Sequence, residues 1–151
     1  MIDQYTVAIP DIIDSIYKLQ STYASDNRSN VLGWQSKQYG NFKEIVWAEP
    51  LLTACLTAMN TAKSVHKFWF NVNPRGAYHS WHSHGKAVTV GVLYLQTPLN
   101  SGDIEFRVDK NVSSITPYPG LLLIFPAELE HRVQANESDE NRISLAFNLK
   151  D

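Results

Sequence analysis

The residues best suited to chemistry are histidines, and four of the five fall where they could act together: His79, His82, His84 and His131, with only His66 clear of the group. In an extended segment, residues two apart share a face, so His82 and His84 can direct both imidazoles at one ion. Imidazole suits iron, zinc, copper and nickel, and a distant third histidine completes one face of a coordination sphere. His131 is in place for that role, following a turn at Phe125-Pro126-Ala127-Glu128-Leu129-Glu130 that returns the chain across the fold. The bland reading stands beside this one: histidines near strand ends are often surface or hydrogen-bonded core residues, and H-x-H arises by chance. No Asp or Glu occurs from Pro74 to Gly102, so no carboxylate accompanies the pair.

The elements that must position these side chains divide the chain into a helical first third and a β-rich remainder. Ile12, Ile13, Ile16, Tyr17 and Leu19 recur at helical spacing and predict a helix from Pro10 to about Tyr23. Pro10 suits its first turn, and Asp11 and Asp14 complement its positive end. Leu51, Leu52, Cys55, Leu56 and Met59 predict a second helix from about Pro50 to Ser64. Asn30 to Ser36 reads as a loop leading into a short strand. After Val65 the period becomes that of strands: Val65–Val72, Ala87–Leu95, Asp103–Val108, Ser113–Thr116, Gly120–Phe125, Glu130–Val133 and Arg142–Leu149. Short strands with regular turns, flanked by two N-terminal helices packed on one sheet, indicate a mainly β (α+β) jelly roll. One domain is expected over 1–151, with 1–65 as helical support and 66–151 as the metal-bearing jelly roll.

Composition removes several function classes. The 151 residues are 44% hydrophobic and 19% charged with a formal net charge of -2, ordinary values for a globular protein. No Lys/Arg stripe indicates nucleic acid or a membrane surface. Cys55 is the single cysteine, which excludes an internal disulfide and suits a reducing compartment. The start is neither basic nor apolar enough for a signal peptide. A cytoplasmic protein acting on a small molecule or peptide is expected, with a homodimer left open.

The order His82-Ser83-His84, His131, then Arg142-Ile143-Ser144 resembles the Fe(II)/2-oxoglutarate-dependent dioxygenase superfamily. Within it, the chain looks most like the small prolyl-hydroxylase-like oxygenases of bacteria and phages. The stretches that carry the resemblance are Gly33–Ser36, Trp69–Asn73, His82–His84, Gly91–Leu95, Gly120–Pro126 and Arg142–Asn148. It implies a double-stranded β-helix, Fe(II), O2 and the cosubstrate 2-oxoglutarate. The implied activity is hydroxylation of an unactivated carbon, of a prolyl residue or an amino acid, with release of succinate and CO2.

The resemblance also implies roles. His82, His84 and His131 hold the metal. Arg142 offers a planar fork to the distal carboxylate of 2-oxoglutarate, with Ser144, Tyr94 and Asn71 assisting. Asn73, His79 and Trp81 are assigned more loosely to a substrate pocket, while Trp34 and Trp69 are expected in the core. Simpler readings remain for each: Arg142 pairing with Asp139 or Glu140, Tyr94 as ordinary core, and Asn71 and Asn73 as turn or strand-end residues. His84 departs from the superfamily pattern, which has Asp or Glu there, so a three-histidine site would leave the metal its full 2+ charge. Two alternatives stay open: a non-catalytic metal- or 2-oxoglutarate-binding jelly roll, and a cupin-like three-histidine dioxygenase that does not use 2-oxoglutarate.

Overall fold

The computed structural model describes residues 1–85 and 89–151. It begins with strand β1 (Asp3–Thr6), then helix α1 (Ile13–Thr22), the two-residue strands β2 (Asn30–Val31) and β3 (Trp34–Gln35), and helix α2 (Glu49–Met59). The β-rich part follows: β4 (Ser64–Asn73), β5 (Tyr78–His82), β6 (Thr89–Gln96), β7 (Ile104–Val108), β8 (Asn111–Ile115), β9 (Leu121–Pro126), β10 (Glu130–Val133) and β11 (Arg142–Lys150). These strands form two antiparallel sheets. The major sheet has the order β1-β9-β6-β11-β4-β3, and the minor sheet β2-β5-β10-β7-β8.

Strand alternation sends one set of side chains to each face of the major sheet. Its outer face, with Phe68, Phe70, Leu93, Leu145 and Phe147, forms one core with Ile16 and Leu19 of α1 and Leu51, Leu52 and Cys55 of α2. The two helices thus cover this sheet, as the sequence leads one to expect. A second, smaller core lies between the sheets, where Val90, Tyr94, Leu121, Leu123 and Phe125 meet Ile104 and Phe106. Gly91 serves the first core through its lack of a side chain: a Cβ there would lie 2.2 Å from Phe147 Cζ. Among the described residues, no helix is long and apolar enough to cross a membrane.

Both helices are shorter than their periodicity predicts. The first starts at Ile13 rather than Pro10, because Val7 N–H is bonded to Gly120 O at 2.8 Å and Ile12 is buried in the core. That keeps the preceding segment out of the helix, and only Asp14 falls in the first turn. The second helix ends at Met59 because Asn60 adopts the left-handed conformation (φ 49°) and donates to Leu56 O and Thr57 O.

The first third is not purely helical either. Strand β1 pairs with β9 as an edge strand, and β2 and β3 join opposite sheets although only two residues separate them. The sixth strand is observed from Thr89; Ala87 and Val88, the start of the expected strand, lie outside the described residues.

Candidate metal and cosubstrate site

Three central strands of the major sheet present one polar face to the minor sheet. Because paired residues share a face, the register of β4, β11 and β6 builds this face rung by rung. Asn73 stands opposite Arg142, and Asn71 opposite Ser144, which is itself opposite Tyr94. Trp69 stands opposite Ala146, and Lys67 opposite Asn148. All of these residues line one cavity of about 520 Å³, within the usual size of a small-molecule site.

The minor sheet supplies histidines to the same cavity. His131 on β10 stands opposite His82 on β5, while Val133 stands opposite His79. His79 and His82 are three positions apart but their partners only two, so β5 carries a bulge and both histidines face inward. His84 lies just beyond β5, fixed by its N–H to Ala127 O at 2.8 Å. Ligand atoms of His82, His84 and His131 all lie within 4.8 Å of one another. The sequence-derived triad therefore converges in space, although only His82 of the H-x-H pair is on a strand.

Hydrogen bonds define which nitrogens are free. His82 Nδ1 lies 2.6 Å from Ser80 O and His131 Nδ1 lies 2.9 Å from Leu129 O. A carbonyl can only accept, so each Nδ1 carries the proton and each Nε2 keeps a lone pair directed into the cluster. Burial lowers the pKa of all three, and for His84 and His131 neighbouring histidine charges add to it, bringing them to about 4 and about 3. They are neutral imidazoles at neutral pH, the form that binds metal.

His79 is not part of that cluster. Its Nε2 accepts from Asn73 Nδ2 at 3.1 Å, and its Nδ1 faces Ser29 Oγ at 3.2 Å. Both nitrogens are engaged, and burial, then Arg142, depress its pKa to about 3. It acts as a polar tie between the two sheets at the cavity wall. Asn73, as its partner, is likewise a wall residue.

Arg142 is the unusual group. It is 2% exposed and forms no ion pair among the described residues, while Asp139 pairs instead with Arg75 at 2.6 Å. The simple surface-pair reading of Arg142 is thereby removed. One guanidinium nitrogen, Nη1, donates to the carbonyls of Ser101 and Gln134, and Gly102 (φ 96°) makes room for it. The other, Nη2, is buried without a partner, as are Tyr94 Oη and Asn71 Oδ1. Burial draws the Arg142 pKa down to about 10 and pushes the Tyr94 phenol up, the cost expected of desolvated polar groups without an anion.

Trp81 falls outside the cavity. It sits in the bulge of β5, and the guanidinium groups of Arg107 and Arg132 each lie over its ring, at 4.2 and 4.7 Å. The loose assignment of Trp81 to the substrate pocket is corrected accordingly. Trp34 is core, as expected, with Nε1 bonded to Tyr23 O. Trp69 is buried but not mere filling, since its ring stacks on His84 at 5.7 Å. Asn148, Lys67 and Gln35 also line the cavity and were not singled out from sequence. Asn148 lies an even number of residues from Arg142 and Ser144, so the same-face count already contained it.

A family model described as "Putative 2OG-Fe(II) oxygenase" matches residues 105–148, which include His131, Arg142 and Ser144 but neither His82 nor His84. No curated protein matches the chain by sequence. Among solved structures, a Pseudomonas putida prolyl-4-hydroxylase aligns with TM-score 0.69 and 16% identity over 99% of this chain and 92% of that one. A Trichoplax adhaerens prolyl hydroxylase, in complex with a hypoxia-inducible-factor oxygen-degradation-domain peptide fragment, aligns with TM-score 0.76 and 12% identity over 99% and 83%. The viral collagen prolyl hydroxylase of Paramecium bursaria Chlorella virus-1, in its 2OG complex, aligns with TM-score 0.65 and 15% identity over 99% and 96%. At such identities the structures speak for the fold, and that fold is the double-stranded β-helix.

The likeness of residues 105–148 to that family model, on this fold and beside a three-histidine cluster, makes Fe(II) and 2-oxoglutarate the groups to test against the site. The residues present fit both groups. Three free imidazole nitrogens suit a first-row divalent metal. The orphaned donors Arg142 Nη2 and Tyr94 Oη suit a carboxylate, which would satisfy both.

Proposed function

We propose that this protein is an Fe(II)- and 2-oxoglutarate-dependent oxygenase that hydroxylates an unactivated carbon, a prolyl residue or an amino acid being the finer reading. The observation that carries it is Arg142, a buried guanidinium with an unpartnered Nη2, lining the same cavity as three converging histidines. A buried cation left without an anion is costly, so the site is built for a carboxylate.

In this reading His82, His84 and His131 hold the metal through one nitrogen each. The protons on His82 Nδ1 and His131 Nδ1 are donated to Ser80 O and Leu129 O, which fixes ring orientation and tautomer. Arg142 Nη2 and Tyr94 Oη bind the distal carboxylate of 2-oxoglutarate, with Ser144 Oγ and Asn71 beside them. Val90, Val92, Ile104 and Val133 line the remaining wall and restrict water. The bound metal and cosubstrate supply O2 activation coupled to decarboxylation of 2-oxoglutarate to succinate and CO2. Prolyl specificity draws its support from the prolyl hydroxylase structures that share the fold.

The experiment is aerobic incubation of the Fe(II)-loaded protein with 2-oxoglutarate, following succinate. Succinate release that requires both Fe(II) and Arg142 supports an oxygenase. Tight 2-oxoglutarate binding without succinate would favour the second reading, a non-catalytic binding module, for which the absence of a carboxylate ligand at His84 is the specific ground. The orphaned donors at Arg142 and Tyr94 argue against a cupin-like dioxygenase that dispenses with the cosubstrate.

A further inference from the structure

The polar face of the major sheet continues past the groups assigned to metal and cosubstrate. At about 3.3 Å per residue, the rungs from Arg142 to Asn148 span roughly 20 Å. His79 touches Asn73 on the first rung, and His84 stacks on Trp69 on the third. Arg142 therefore lies at one end of the cavity and the Lys67–Asn148 rung at the other, with His84 over the Trp69 rung between them.

That far rung has no task in the cosubstrate reading. Lys67 is exposed, lines the cavity and enters no ion pair among the described residues. Its neighbour Asn148 lies beside His84, and its buried Oδ1 is left without a well-formed hydrogen bond. The pairing skips His66, since Asn148 faces Lys67 and Leu149 faces Val65, so a bulge turns His66 toward the same end. Arg28, also on the wall, is already engaged with Asp26 at 3.3 Å.

Charge gives the direction. No Asp or Glu lines the cavity among the described residues. Three neutral imidazoles leave a divalent metal its full charge, which dianionic 2-oxoglutarate cancels. Arg142 then leaves the loaded site one unit positive, where a carboxylate ligand would have left it neutral. Lys67 adds a second positive charge at the open end.

We infer that Lys67 and Asn148 form a specificity-determining anchor for a substrate that carries a carboxylate with an N–H donor close by. The carboxylate pairs with Lys67 Nζ, and the N–H is accepted by Asn148 Oδ1. This rests on the oxygenase reading and names the substrate class for that site.

The test uses the full chain loaded with Co(II) and 2-oxoglutarate without oxygen, titrated calorimetrically with N-acetylated amino acids and their C-terminal amides as size-matched pairs. At least one acid is expected to bind more tightly than its amide by about tenfold or more. Lys67→Ala should erase that preference and Lys67→Glu should reverse it, with 2-oxoglutarate affinity unchanged within about twofold in both. Absence of any acid preference across the pairs, or its survival in Lys67→Ala, overturns the inference while 2-oxoglutarate still binds. Failure of 2-oxoglutarate to bind the unaltered protein overturns the oxygenase reading, and this inference with it.

Discussion

The Nε2 atoms of His84 and His131 lie 3.3 Å apart, from residues 47 positions apart in the chain. Two nitrogens bound at right angles to one metal, each at about 2.1 Å, would be roughly 3 Å apart. On the proposed metal reading the fold sets these two nitrogens close to such a spacing, and His82 lies within 4.8 Å of both.

His84→Ala should weaken divalent-metal binding on the order of 100-fold, about 2.7 kcal/mol, by removing one ligand of the three. His84→Asp should retain the metal, because a carboxylate oxygen can serve the same position. Competition against a chelating indicator measures both, and unchanged affinity in His84→Ala would remove His84 from the ligand set.

Arg142→Gln should weaken 2-oxoglutarate binding by about 2–5 kcal/mol, the usual cost of deleting one partner of a buried charge pair. Metal affinity should be preserved, since Arg142 touches none of the three histidines' ligand atoms. Thermal denaturation will show whether the loss is local. A variant that binds 2-oxoglutarate as the parent does would refute the role given to Arg142.

The metal-free protein should lose stability as pH falls from about 6.5, the ordinary histidine value, toward 4. His79, His84 and His131 have folded-state pKa values lowered to between about 3 and about 4, chiefly by burial. Between those values and 6.5 the unfolded chain binds more protons than the folded one, so stability rises with pH across that window. It is fully present above the unfolded pKa. Urea midpoints between pH 4 and pH 8 read this directly, and saturating metal should raise the midpoints without flattening the dependence, because it keeps the folded-state imidazoles unprotonated while the unfolded ones still titrate.

Gly91→Ala should destabilise the fold by about 1–3 kcal/mol through overpacking. The added Cβ would meet the Phe147 ring at 2.2 Å, in the core shared with both helices. Chemical denaturation measures the cost, and metal affinity should change little because the clash lies on the sheet face away from the cavity.

Much of the β architecture was legible because buried strands announce themselves. The β-branched and apolar runs of β4, β9 and β11 mark them clearly, and the Arg142–Ser144 spacing correctly places both side chains on one face. Strand β1 escaped notice because Asp3-Gln4-Tyr5-Thr6 is a mostly exposed edge with no apolar alternation. The bulge in β5 was equally invisible: strict alternation from His82 would turn His79 outward with Trp81, whereas the extra residue brings His79 in. Trp69 and Asn148 were open to a same-face count, but their contact with the His84 side of the cavity depends on how the segment after β5 folds back.

The most direct measurement is anaerobic titration of the Fe(II)-loaded protein with 2-oxoglutarate, watching the visible spectrum. A weak charge-transfer band that saturates at one equivalent, and is lost in Arg142→Gln at the same concentration, is the predicted result. Fe(II) bound by the three histidines with no band on adding 2-oxoglutarate would contradict the account.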